Sequence, residues 1–522
     1  MAQTTAPVLS ASVTVEADNV VRTIPSTIYG SNLEWVWNGY SLWNQASSQP
    51  DTTLVNLSRS MGTTLLRYPG GMYADFYHWR DGIGAYSSRP TVSFRPGDTS
   101  GQIIFGTDEA LQFADESHGQ LMITVNAGTG TASEAADWVR YVNATKLRVE
   151  YWEIGNELYI NDGSVAQSAI TMDPGTYAAR VVEFAEAMRA ADPRIKIGAI
   201  GGQNQGAYSL VAYPDWDQIV LQKAGSQIDF LAVHNAYAPV NVNDTDDLRS
   251  VYAAMLAAPS LIARNLQTLS NQILTFAPSF AAKIGIAVTE WGPFFQSSPS
   301  GRYAQHTRTL GSALFAADTL KTFFESPTTQ IANFHVLNDL SIMCWICSQS
   351  GSYPAVWTET PESMAFGLIR NHFGTQVVSS TVNAPAYTSP AIGAVVSVPH
   401  VPYLDVVSSL SADGTTLYVL AINKSLDSSL QTSLRLNKFV PARAGLSWTL
   451  NGAGIDSTTG TMPLQVPGIY WAPQEEDSEN PEFSKGAPGK VAITPGSFEA
   501  AASFTYTFPA HSVTALQFRA IN

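Results

Sequence analysis

Between about residues 27 and 375, apolar residues fall into short, nearly continuous runs separated by stretches with helical spacing. The strand candidates are STIYGSNLEW (26–35), TTLLRYPGG (63–71), QLMITVNAG (120–128) and RVEYWEIGNE (148–157). They continue with RIKIGAIGG (194–202), IDFLAVHNAY (228–237), IGIAVTEWG (284–292) and IANFHV (331–336). Several are rich in β-branched residues and apolar at successive positions, as strands covered on both faces should be. Helical patterns lie between them, for example TYAARVVEFAEAMRAADP (176–193), closed by Pro193. Eight strands alternating with helices predict an α/β fold, a (β/α)8 TIM barrel over residues 27–375.

From about residue 376 the period changes to two. VVSVPHVPYLDVVSSLSADGTTLYVLAINKS and SFTYTFPAHSVTALQF read as short alternating strands with Asp-Gly and Asn turns. They predict a C-terminal antiparallel β-sandwich domain over 376–522. SASVTVEA (10–17) is also strand-like, and residues 1–26 are expected to add a strand to that sandwich. The acidic stretch PQEEDSENPEFSKGAPG (473–489) reads as a solvated loop.

Composition narrows the function. Only 14% of the 522 residues are charged, well under the roughly 25% of ordinary domains. The net charge of −15 argues against nucleic acid and anionic membrane surfaces, which need clustered Lys and Arg. No apolar run is long enough for a transmembrane helix. The start, MAQTTAPVLSASV, lacks a basic and an apolar signal region. We read it as a mature exported end behind an initiator Met, which places the protein in a secreted or periplasmic setting. Cys344 and Cys347 form a lone CxxC in a strand-like run. Two buried thiols are the plain reading, ahead of a local disulfide or redox chemistry. The histidines lack metal-ligand spacing and the glycine-rich stretches lack GxGxxG, so no metal and no cofactor is expected.

Barrel enzymes carry their reacting groups at the C-terminal ends of strands. Here the fourth strand ends in Glu157 and the seventh in Glu290. Cleaving a glycosidic bond calls for two carboxyl groups across it, one a proton donor and the other a nucleophile or base. A single strand-end Glu is ordinary, but a pair on these two strands is a candidate catalytic pair.

These residues resemble the clan of retaining glycosidases in which Asn-Glu ends strand four and a Glu ends strand seven. Within it, the chain is similar to glycoside hydrolase family 51, the α-L-arabinofuranosidases. The resemblance runs through IYGSNLEW (28–35), LRYPGGMYADFYHWRDGIG (66–84), FGTDEALQFADE (105–116) and TVNAGTGTASEAADWVRYVN (124–143). It continues through YWEIGNEL (151–158), TEWGP (289–293), TPESMAFGLIRNHFG (360–374) and PAHSVTALQF (509–518). It implies that Glu157 is the general acid/base, Glu290 the nucleophile and Asn156 a sugar ligand. Glu34 would grip sugar hydroxyls, and Arg67 would hold Glu290 ionised. Met72 departs from the family, which usually has Asn after the paired glycines.

Other candidates rest on position alone. Tyr237 and His234, ending strand six, could contact Glu290 or the sugar, or be packed core residues. Trp291 and Trp345, with Trp35 and Trp37, could form a stacking platform. Glu153, inside strand four, points into the barrel or to a supporting layer. The resemblance implies a retaining exo-hydrolase that releases arabinofuranose from plant polysaccharides, with a saccharide as its partner and an oligomer possible. A β-xylosidase, β-glucuronidase or endo-glucanase of the same clan is the alternative. A carbohydrate-binding protein on an inactive barrel is a further one, opposed by the presence of both carboxylates.

Overall fold

The computed structural model describes residues 8–521 apart from 34, 36–38, 40–41, 99, 145–146, 203–212, 242–244, 297–302, 304–305, 340–345, 349–356, 394 and 460–490. Glu34, Trp37, Cys344, Trp345 and the acidic stretch 473–489 therefore lie outside the described residues, as does the side chain of Cys347.

Eight parallel strands close a barrel: β1 (Gly30–Asn32), β2 (Leu65–Tyr68), β3 (Gln120–Val125), β4 (Tyr151–Ile154), β5 (Lys196–Ile200), β6 (Phe230–Val233), β7 (Gly285–Gln296) and β8 (Thr329–Phe334). Each pairs with the next, β8 returns to β1, and Ala236–Asn241 adds a short extension beside β7. The order matches the hydrophobic runs, because strands flanked by helices on one side and the barrel interior on the other bury both faces. Helix Pro174–Ala191 begins with Asp173 capping the N–H groups of Gly175 and Thr176, and its Pro sits where no N–H is needed. It ends two residues before Pro193.

The barrel interior is layered. Leu65, Met122, Phe230, Ala232, Ala287 and Ile331 form a buried apolar cluster at one level, with Tyr151 packed against it. Two residues further along the strands, the period-2 alternation brings Arg67, Thr124, Glu153 and Thr289 to the interior. These are buried polar groups, in register across β2–β3–β4 through Arg67↔Met122 and Thr124↔Glu153. Asn32, opposite Arg67 on β1, completes this layer.

The second body is a nine-stranded sheet. Its pairings are antiparallel except where the N-terminal strand Val8–Thr23 runs parallel to Ser429–Asn437. The long route through the barrel lets the first strand enter in that direction, which a hairpin could not. Alternation divides its strands between two cores. Leu417 and Val419 join the sheet's own core with Val15, Leu434 and Phe518, whereas Leu420 and Ile422 join the barrel's core. At this seam Lys424 Nζ reaches Asp318 of helix Leu310–Glu325 at 2.9 Å and Asp405 of the sheet at 2.5 Å, all buried or nearly so. Among the described residues no helix is long and apolar enough to cross a membrane.

Candidate active site

The C-terminal ends of the barrel strands converge on a closed set of charge pairs. Arg67, with no exposed surface, donates Nε to Glu153 Oε2 at 2.6 Å and Nη1 to Glu290 Oε1 at 2.9 Å. Its Nη1 also reaches Asn32 Oδ1 at 3.0 Å, and Nη2 reaches Asn156 Oδ1 at 2.7 Å. One guanidinium from β2 thus orients groups from β1, β4 and β7, a task suited to its planar fork of donors. With Asn156 Oδ1 accepting from Arg67, its amide NH2 is the group left to donate elsewhere.

Glu290 is brought to the interior by an irregularity in β7. Val288 pairs with Ala332 and Trp291 with Phe334, so three residues of β7 span two of β8. A bulge of this kind re-aims side chains, and Thr289 and Glu290 both contact the interior network. Tyr237 donates its hydroxyl to Glu290 Oε2 at 3.0 Å. Burial disfavours the Glu290 charge, but His234, His335 and Arg67 outweigh it and hold its carboxyl well below the usual range. It is an ionised carboxylate accepting from Arg67 and Tyr237.

Glu157 follows a turn in which Gly155 has φ +75° and Glu157 itself +47°. A Cβ at position 155 would come within 2.8 Å of Leu158, so glycine is required there. His234 joins the two acids: its Nδ1 lies 2.8 Å from Glu157 Oε1 and 3.5 Å from Glu290 Oε2. Its Nε2 meets Thr289 Oγ1 at 3.1 Å, and Thr289 donates to Glu153 Oε1 at 3.0 Å. Thr289 therefore accepts from His234, which places a proton on Nε2. Burial works against a charged His234, yet Glu290 and Glu157 outweigh it and raise its pKa. Oxygens of Glu157 and Glu290 lie within 4.8 Å of each other and of a His234 nitrogen. That spacing could also hold a metal ion, but each of these atoms already has a hydrogen-bond partner.

Glu153, Arg67, Asn156, His234, Tyr237, Glu157 and Glu290 come together. Trp291 does not. It is 0% exposed, with its ring edge-on to Phe323 at 5.3 Å and Phe334 at 5.1 Å. Alternation past the bulge turns it outward into the layer between barrel and helices, so it offers no face to a sugar. Trp35 is also buried, packed against Tyr77 and Phe94 with Nε1 donating to the Phe105 carbonyl. Met72 lies 49% exposed on the turn after β2, beside the guanidinium of Arg95.

Two groups carry more than the sequence suggested. Glu153 is the anchor of the network. Asp75, in the YADF stretch, accepts from the backbone N–H groups of Ala127, Gly128 and Asn156 at 2.9, 2.9 and 2.7 Å. Burial pushes its carboxyl up to about 7, against the pull of those N–H groups. A lone acid among aromatic residues, four positions after Gly71, was the available signal.

Known proteins share this arrangement of chain. The family model described as the α-L-arabinofuranosidase 1 domain matches residues 57–235. An intracellular exo-α-(1→5)-L-arabinofuranosidase of Acetivibrio thermocellus is 26% identical over 304 residues, covering 51% of this chain and 57% of that one. An exo-α-(1→6)-L-arabinofuranosidase of Bifidobacterium longum is 24% identical, covering 80% and 86%. The fold matches that of the family 51 α-L-arabinofuranosidase of Thermotoga petrophila with a TM-score of 0.79 and 23% identity, covering 97% and 100%. The expected secreted or periplasmic location is overturned, since the Acetivibrio relative and four others carry intracellular in their names. Over residues 57–235 the chain resembles the α-L-arabinofuranosidase 1 domain, and as a whole it has the fold of the family 51 α-L-arabinofuranosidases.

Proposed function

We propose that the protein is a retaining exo-α-L-arabinofuranosidase acting within the cell on oligosaccharides derived from plant hemicellulose. The observation that carries this reading is the facing pair Glu157 and Glu290, with carboxylate oxygens within 4.8 Å. Retaining enzymes hold their carboxyl groups about 5 to 5.5 Å apart, inverting ones farther apart to admit water. Glu290, ionised and fixed by Arg67 and Tyr237, attacks the anomeric carbon as Glu157 passes its proton to the leaving oxygen. The glycosyl–Glu290 ester is then cleaved by water, which Glu157 deprotonates, and both groups return to their starting states. Asn156 donates its amide to the sugar hydroxyl beside the anomeric carbon. Relatives named as exo-arabinofuranosidases support the sugar and the mode of attack.

A second reading keeps the mechanism and changes the sugar, favoured by Met72 at a position where family members usually bind sugar through Asn. The test is hydrolysis of 4-nitrophenyl α-L-arabinofuranoside by wild type, Glu157→Ala and Glu290→Ala, with and without azide. We expect azide to rescue Glu290→Ala with an inverted glycosyl azide and Glu157→Ala with a retained one. Turnover of a xyloside or glucuronide in place of the arabinofuranoside would select the second reading, and loss of neither activity in the variants would refute the roles.

A further inference from the structure

We propose that Asp75 is a positioning residue for Glu157: its buried carboxylate clamps the ends of β3 and β4 together and holds the turn that aims the acid/base. Asp75 sits on the turn Gly71–Phe76 after β2 and is 1% exposed. Oδ1 takes the N–H groups of Ala127 and Gly128, just past β3, and Oδ2 takes that of Asn156, the residue before Glu157. Its backbone carbonyl accepts from the N–H and hydroxyl of Thr129 at 3.1 and 3.0 Å. Three segments are tied through one side chain.

Packing alone does not call for a carboxylate here. Among the described residues no lysine or arginine contacts it, and the nearby Arg180 donates instead to the carbonyls of Ala127 and Gly128 at 2.7 and 3.1 Å. A buried charge without a cation is costly, and what this one supplies is three acceptor bonds to N–H groups beyond the strand ladders. The turn it holds needs support. Both Gly155 and Glu157 are left-handed, and a non-glycine residue in that region is strained unless its surroundings impose it. The chain also makes room for the clamp, because a Cβ on Gly128 would stand 2.7 Å from the Asp75 Cβ.

This inference rests on Glu157 being the acid/base, and the experiment separates the two. Asp75→Asn keeps the size and one acceptor oxygen but turns an NH2 donor toward the Asn156 N–H. With 4-nitrophenyl α-L-arabinofuranoside we expect kcat to fall about 10²-fold, as for a small misplacement of a reacting group, with KM within about twofold. In a Glu157→Ala background the same change should cost less than about twofold, because the group it aims is gone. A folded Asp75→Asn enzyme with wild-type kcat, or a full additional loss in the Glu157→Ala background, would overturn the proposal. If Asp75→Asn does not fold, Gly128→Ala, which crowds the clamp, is read in the same cycle with the same criteria. Wild-type activity of Glu157→Ala itself would instead sink the acid/base assignment.

Discussion

Arg67 is held closer by Glu153, at 2.6 Å, than by Glu290, at 2.9 Å. The glutamate inside the strand therefore balances and orients the arginine, and the arginine in turn positions Glu290, the proposed nucleophile.

Glu153→Gln should therefore damage both stability and rate. Removing one charge of a buried pair costs about 3–5 kcal/mol where the partner stays buried, and Arg67 has no exposed surface. We expect a loss of about 3 kcal/mol in urea unfolding together with a lower kcat. An unchanged urea midpoint would mean that Glu290, Asn32 and Asn156 suffice to hold Arg67.

His234 makes stability pH-dependent in a defined direction. Its pKa is raised above the ordinary 6.5, with burial opposing the charge and Glu290 and Glu157 more than compensating. Its stabilisation is thus complete below pH 6.5 and fades as pH rises through the higher folded value. The stability gap between wild type and His234→Gln, followed by thermal melting from pH 5.5 to 8.5, should narrow as pH increases. A gap that widens would show that His234 is buried neutral.

The seam between barrel and sheet has its own charge centre. Lys424→Met leaves Asp318 without its direct cation and Asp405 with only Lys321, 3.5 Å away, so we expect a destabilisation of about 3 kcal/mol at pH 7. Burial and the neighbouring Asp405 already push the Asp318 carboxyl up to about 6. Lowering the pH to 5 lets it take a proton and should recover part of the loss. Equal losses at both pH values in denaturant titrations would contradict this account.

Chelation should leave the rate alone. Glu157 and His234 bind each other, and Glu290 is taken by Arg67 and Tyr237, so a metal ion would have to displace existing partners. We expect kcat/KM to be unchanged after dialysis against EDTA. A fall reversed by added divalent metal would reassign this trio as ligands.

Much of the barrel was readable because each strand's signal is local. A run such as IGIAVTE or QLMITV is apolar at successive positions whatever lies around it, and period-2 stretches near Asp413-Gly414 mark a hairpin in the same way. Glu157 and Glu290 stood out as acids at the ends of such runs. Trp291 misled because adjacency in sequence is not adjacency in space: one residue past Glu290, the side chain points to the other side of the sheet. Glu153 was undervalued because its partner, Arg67, comes from a different strand. Asp75 went unnoticed for the same reason, since its three N–H partners belong to two other segments.

Composition and hydrophobic period were enough to point to the (β/α)8 barrel, its companion sheet and two glutamates at strand ends, since these signals are local in the chain. The linked set of Arg67, Glu153, Thr289, His234, Glu157 and Glu290 was decided only when the barrel closed. Strand register set Thr124 opposite Glu153, the bulge in β7 turned Glu290 inward, and barrel closure brought β2 and β7 within reach of one guanidinium. Hydrogen bonds and ion pairs between distant segments depend on that register to within one residue, because a slip of one would turn every interior side chain outward.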